Sequence, residues 1–244
     1  MSATSLALLI TIDGPAGAGK TTVSKLLAER LGYRYLDTGS LYRAVAFGVM
    51  TAQISLHDDI GIQRLLKDSR LMLEPVTSGF HLKWNDQDIS GYLRTSEISM
   101  MASAVSAKPV VRDFLLDVQR KTGQNKSLVC EGRDMGTVVF PNADIKFFLD
   151  ANPDIRALRR YRELTCSASN ITLNAVSKDM RERDRNDRRR VIAPLIPATD
   201  AIIVDASNMD ISAVVTCMTA AIISIFGDIP MYSIHETPAC LEKT

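Results

Sequence analysis

Hydrophobic positions along this chain switch between two periods, and the switching sets out a β-α-β succession. An apolar run from Leu6 to Ile12 reads as a buried strand; after a glycine-rich break, Val23, Leu26, Leu27 and Leu31 recur at helical spacing, with Gly32 as a C-cap. Tyr33 to Leu36 predicts a second strand ending at Asp37-Thr38-Gly39, and Leu41, Tyr42, Val45, Ala46 and Val49 predict a second helix. Later, Leu128–Cys130, Ile145–Leu149 and Ala201–Val204 read as strands, with helices over Asp154–Leu164, from near Thr172 to Arg190, and over Ile211–Phe226.

Between about 57 and 126 this rhythm breaks. Asp58–Ser69 looks helical, Leu71–Leu73 and Phe80–Trp84 alternate like strands, and Asn85-Asp86-Gln87-Asp88 supplies turn chemistry before Ile89. Two helices return the chain, one from about Ser96 to Ala107 and one with Pro109 at N1 and Val110, Val111, Phe114, Leu115 and Val118 on one face. The pattern predicts an α/β fold whose parallel sheet is flanked by helices, with an inserted cap carrying a small antiparallel sheet. The core takes 1–56 and 127–226, including an arginine-rich helical lid at about 165–192; the cap takes 57–126, and a tail of no assigned role 227–244.

Composition narrows the function. The 244 residues are 46% hydrophobic, which suits one domain with an insertion. A net charge of +1 from 29 basic and 28 acidic side chains argues against a protein held to nucleic acid by bulk electrostatics, so any basic site must be local. Cys130, Cys166, Cys217 and Cys240 form no C-x-x-C and have no histidine at ligand spacing, which speaks against zinc or a disulfide framework. No basic segment precedes Leu6, and the uncharged stretch Ile211–Phe226 falls short of the ~20 residues of a membrane span. A monomeric, cytoplasmic protein without membrane or nucleic-acid partners is expected.

The chemistry begins at Gly14-Pro15-Ala16-Gly17-Ala18-Gly19-Lys20-Thr21, which fills every fixed position of the phosphate-cradling pattern G-x-x-x-x-G-K-S/T in the required strand, loop, helix order. Glycines at 14, 17 and 19 let N–H groups turn inward on an anion, and the helix start adds its positive end. The loop through Thr22 is the expected ATP site, with Lys20 on the β- and γ-phosphates and the Thr21 hydroxyl on Mg²⁺.

Strand ends in such a sheet form the ligand crevice, so Asp37, Thr38 and Arg43 should face substrate. Arg133 and Asp134, just past a buried strand in Glu131-Gly132-Arg133-Asp134, are costly there unless something polar binds; a structural ion pair is the alternative. Arg183, Asp187 and Arg190 share one helical face, and Arg181, Arg185 and Arg188 an adjacent one. Such faces can clamp phosphoryl oxygens while Asp187 holds a sugar hydroxyl or orients an arginine. A solvated charged helix and an RNA-binding stripe are the competing readings; interleaved acids and missing aromatic platforms count against RNA.

These features suit phosphoryl transfer between two small molecules. A switch GTPase would need N-K-x-D, and Asn125-Lys126-Ser127-Leu128 lacks the aspartate. Motifs of motor or helicase ATPases are not found. Among small-molecule kinases, the inserted cap and Gly132-Arg133-Asp134-Met135-Gly136 speak against a shikimate kinase.

Four motifs, Ile12 to Lys20, Leu36 to Arg43, Gly132 to Pro141 and Arg190-Val191-Ile192-Ala193-Pro194, together resemble bacterial cytidylate kinase, over residues 6 to about 226. The resemblance implies a nucleoside monophosphate kinase with a P-loop core, transferring phosphate from ATP to CMP or dCMP with Mg²⁺. It implies base-reading positions at Thr38, Arg112 and Asp134, sugar-binding positions at Ser103, Arg183 and Asp187, and phosphate-binding arginines at Arg43, Arg133 and Arg190. Lys20, Arg133 and Arg190 would be the catalytic set. The cytosine amino group wants an acceptor such as Asp134, and the ring nitrogen and carbonyl want donors such as Arg112 and Thr38. Thr38 and Glu131 stand where the family more often has serine and aspartate.

Overall fold

In a computed structural model of the chain, the described residues are 6–77, 79–93, 95–165 and 171–232. Five strands, β1 (Leu9–Asp13), β2 (Arg34–Asp37), β6 (Leu128–Gly132), β7 (Ile145–Asp150) and β8 (Ile202–Asp205), form one parallel sheet in the order β2-β6-β1-β7-β8. Strand β1 lies at the centre and is buried throughout, as expected for a parallel strand covered on both faces. One face packs under α1 (Lys20–Leu31) and α8 (Ile211–Phe226), where Leu27, Leu31, Val214, Met218 and Ile222 meet Ile10, Ile12 and Phe147. Among the described residues no helix is long and apolar enough to cross a membrane.

The strands deliver carboxylates to one edge: Asp13, Asp37, Glu131, Asp150 and Asp205 lie at or next to their carboxyl ends. At that edge Arg43 pairs with Asp37, and Arg156 and Arg188 approach Asp150.

The segment expected to interrupt the parallel rhythm does so. Helix α3 (Asp59–Asp68) is capped by the Asp58 side chain on Gly61 N; β3 (Leu71–Val76), β4 (Gly79–Trp84) and β5 (Gln87–Asp88) pair antiparallel; α4 (Ser96–Val105) and α5 (Pro109–Gly123) follow. Its core is shared with α2 (Thr38–Thr51), whose Leu41, Ala44, Val45, Ala46 and Val49 are buried in one cluster with Ile62, Leu82, Trp84, Ile89, Val111 and Leu115. A division between residues 56 and 57 therefore cuts a single hydrophobic cluster.

The contact is tight at Gly48. A Cβ added there would lie 2.3 Å from Trp84 Cζ2 and 2.7 Å from Cε2, on a bulky ring that is itself buried. Alanine at an ordinary helix position gains stability over glycine, but here overpacking, about 1–3 kcal/mol, outweighs that gain. Gly48→Ala is expected to lower the thermal midpoint, read by calorimetry.

The remaining helices are α6 (Pro153–Thr165) and α7 (Leu173–Arg189), the latter capped by Thr172 on Ala175 N. They share a small cluster of Ala157, Val176 and Met180, against which Ala16 of the glycine-rich loop packs. Residues 166–170 of the expected lid, Cys166, Cys240 and tail residues 233–244 lie outside the described residues; Cys130 and Cys217 are free thiols.

Candidate active site

The glycine-rich loop takes the expected shape. Gly14, Gly17 and Gly19 have φ of 149°, 72° and 95°, and a Cβ on Gly14 would sit 1.9 Å from the carbonyl oxygen of Leu149. Gly19 caps α1 without a side-chain bond, so the first-turn N–H groups remain free for an anion. Lys20 is buried and donates from Nζ to the Pro15 carbonyl at 2.7 Å. Burial, then the Arg133 charge, pull its ammonium down to about 7, while Glu131 and Asp13 oppose them.

On β6, Glu131 Oε1 accepts from Thr21 Oγ1 at 2.8 Å and from the Tyr35 hydroxyl. Its Oε2 is buried without a hydrogen-bond partner. Desolvation, with Asp37 beside it, pushes this carboxyl up. Asp37 caps α2 on Ser40 N at 3.2 Å and pairs with Arg43 at 2.5 Å.

Past the strand, the two residues of the Arg133-Asp134 pair find different partners. Asp134 is buried against Arg112, whose guanidinium lies 5.8 Å from the Tyr42 ring centroid and also donates to the Ser106 carbonyl at 3.2 Å. Desolvation pushes the Asp134 carboxyl up, and Arg112, Arg190 and Arg133 hold it down. Arg133 reaches α7, pairing with Asp187 at 3.0 Å. Asp187 is thus the partner of an arginine from outside its own helix. Arg190 donates to the Ala193 carbonyl at 2.8 Å and lies 4.0 Å from Asp187. The Nε atoms of both Arg43 and Arg190 are buried without an acceptor.

The charges of Arg133 and Arg183 help pull the Lys20 ammonium down, and those of Arg190 and Arg133 help hold the Asp134 carboxyl down. The phosphate loop and the arginine helix are neighbours. They also touch, since a Cβ on Gly17 would lie 2.8 Å from Met180 Cε. Arg156, 2% exposed, joins the loop to α7 by donating to the Ala16 carbonyl at 3.0 Å while pairing with Asp184 at 2.7 Å.

Several expected residues sit differently. The Thr38 hydroxyl donates to the Glu131 carbonyl at 2.7 Å, so toward a base it offers an acceptor, where a donor was expected. Ser103 is exposed on α4 and meets the rest at one remove, its carbonyl accepting from Ser106 Oγ at 2.8 Å. On the second α7 face, Arg181 pairs outward with Asp154 at 3.1 Å and Arg188 lies 3.7 Å from Asp150.

Three participants went unseen in the sequence: Asp13, Arg156, and the single π-helical turn at Met135–Val139 that follows Asp134. For Asp13 a signal existed, a carboxylate closing a strand whose one other polar residue is Thr11.

Comparison with known proteins comes to the same place. The family model described as cytidylate kinase matches residues 10–224. A cytidylate kinase of Oleidesulfovibrio alaskensis is 44% identical over 207 residues, spanning 85% of this chain and 94% of its own length. One from Carboxydothermus hydrogenoformans is 41% identical over 218 residues, spanning 89% and 96%. Among solved structures, an uncharacterized protein from Eubacterium ventriosum matches with a TM-score of 0.50 at 13% identity, over 89% of this chain and 99% of that one, a likeness of fold alone.

Proposed function

This chain belongs to the cytidylate kinase family, and with that as premise we propose the division of labour by which it moves the γ-phosphate of ATP to CMP or dCMP, giving CDP or dCDP and ADP. The loop from Gly14 to Thr22 holds the ATP phosphates through its N–H groups, and Lys20 leaves the Pro15 carbonyl for the β- and γ-oxygens. Arg133 and Arg190 neutralise the charge spread over the migrating group, and Arg43 holds the acceptor phosphate with them. No protein nucleophile is required, because an oxygen of the CMP phosphate attacks in line. Positioning and charge neutralisation supply the rate.

The acceptor base is read by Asp134, Arg112 and Thr38. The carbonyl and ring nitrogen of cytosine accept from Arg112, while its amino group donates to Asp134 and to the free lone pair of Thr38. Uracil puts a carbonyl where cytosine has the amino group, leaving Asp134 facing another acceptor. The observation that carries this reading is the buried Asp134–Arg112 pair, a donor and an acceptor side by side with Arg190 close by. Ser103, Arg183 and Asp187 are assigned to the sugar.

Magnesium fits the residues present: Thr21 and Glu131 are hard oxygen donors already in contact, and the partnerless Glu131 Oε2 has spare capacity for a hydrated cation. When bound, the ion neutralises charge on the β- and γ-oxygens. Thr21 and Glu131 would hold it.

We assign residues 57–126 to an acceptor-binding cap and about 165–192 to a lid, in a monomeric cytoplasmic enzyme acting on free nucleotides. Pairing of Arg181 with Asp154, and of Asp187 on α7 with Arg133, supports this over an RNA-binding stripe. Initial rates with CMP, dCMP, UMP and AMP at saturating ATP test the assignment. CMP and dCMP should be turned over fastest; preference for UMP or AMP overturns it.

A further inference from the structure

Asp13 ends the central strand with its side chain 4% exposed, beside the phosphate loop, yet its carboxylate is turned away from that loop's N–H groups. Oδ1 accepts from Met135 N at 2.8 Å and Oδ2 from Gly136 N at 2.7 Å. These are the first two amides of the π turn. The residue at the N-cap of that turn is Asp134, a type that ordinarily folds its side chain back onto such amides. Here Asp134 makes no cap bond and faces Arg112.

We propose that Asp13 is a positioning residue for the acceptor base: by capping the π turn in place of Asp134, it leaves the Asp134 carboxylate free to face Arg112 and the cytosine. The inference rests on the assignment of Asp134 to the base. Two features make the exchange of roles specific. Met135 and Gly136 are both buried, so their N–H groups need a protein acceptor. The turn cannot draw back either, because a Cβ on Gly136 would already lie 3.1 Å from Lys146 Cδ and 3.2 Å from Thr11 Oγ1. Without the Asp13 carboxylate, the side chain placed by its N-cap position to reach the Gly136 amide, the second of the turn, is Asp134. Its return there would remove the base's acceptor. Burial pushes the Asp13 carboxyl up to about 6 against the pull of the two amides, which leaves it ionised at neutral pH.

The decisive variant is Asp13→Asn, which keeps the volume but offers one acceptor to two donors. The kcat/KM ratio of CMP over UMP is expected to fall about tenfold to a hundredfold, the scale of a misplaced contact, with KM rising for CMP and holding for ATP. Asp13→Asn/Asp134→Asn should discriminate no worse than Asp134→Asn alone. A lowered thermal midpoint with ratio and KM for CMP unmoved overturns the proposal, leaving Asp13 a structural cap. Should Asp134→Asn leave the ratio intact, the base assignment falls and this inference with it; should only Asp13→Asn leave it intact, this inference falls alone. If Asp13→Asn does not fold, the amide resonances of Met135 and Gly136 decide. Their hydrogen bonds, read from amide temperature coefficients, should persist in Asp134→Asn, and bonds lost on substituting Asp134 make Asp134 the cap and overturn the idea.

Discussion

Lys20→Ala should lower kcat about a hundredfold to a thousandfold, the range seen when one preorganised donor to a developing charge is removed. The residue opens α1 directly behind the last loop glycine and is held buried by its bond to the Pro15 carbonyl, so it waits in place without a ligand. Burial and Arg133 disfavour its charge. A polyphosphate reverses that balance, and reverses it most where negative charge is greatest. Removing the ammonium therefore weighs on turnover more than on capture: KM for CMP should change little, and saturation kinetics with each substrate varied in turn will separate the two. A variant whose loss lies wholly in KM for ATP would show that Lys20 only anchors the nucleotide.

Asp134→Asn should cost the enzyme its choice of pyrimidine. Its effect on kcat/KM for CMP is expected to reach about a hundredfold, with UMP affected far less, because a site built around one hydrogen-bond pattern rejects its complement chiefly through unpaired buried groups. The amide keeps the volume but presents a donor as readily as an acceptor. Alanine is the poorer probe: both variants remove the charge facing Arg112, 8% exposed, but alanine also leaves its Nη2 without the Asp134 acceptor and opens a cavity, and breaking a buried pair costs about 3–5 kcal/mol of stability. Competition between CMP and UMP at saturating ATP measures the ratio directly; an unchanged ratio would move base recognition to other residues.

Local periodicity made most of the scaffold legible. The glycine-rich loop, the arginine helix with its Thr172 cap, the span of α8 and the antiparallel pair in the insert all follow from spacing and turn chemistry that act within a few residues. What stayed hidden depends on partners distant in sequence. Asp13 meets amides more than a hundred positions away, and α6 carries several arginines of which only the fold decides that Arg156 turns inward. The π turn at Met135–Val139 answers to neither hydrophobic period. The Thr38 hydroxyl is a similar case: its hydrogen goes to the Glu131 carbonyl on a neighbouring strand, and composition says nothing of where a hydroxyl points.

Helix α2 begins at Thr38 and Arg43 and runs on to Gly48, pressed against the Trp84 ring. With Thr38 and Arg43 on the acceptor as proposed, the helix joins nucleotide and indole as the two arms of a lever, and a shift of the insert would tilt both residues. Trimming the indole should consequently register as a change in KM for CMP, although no atom of Trp84 takes part in the transfer.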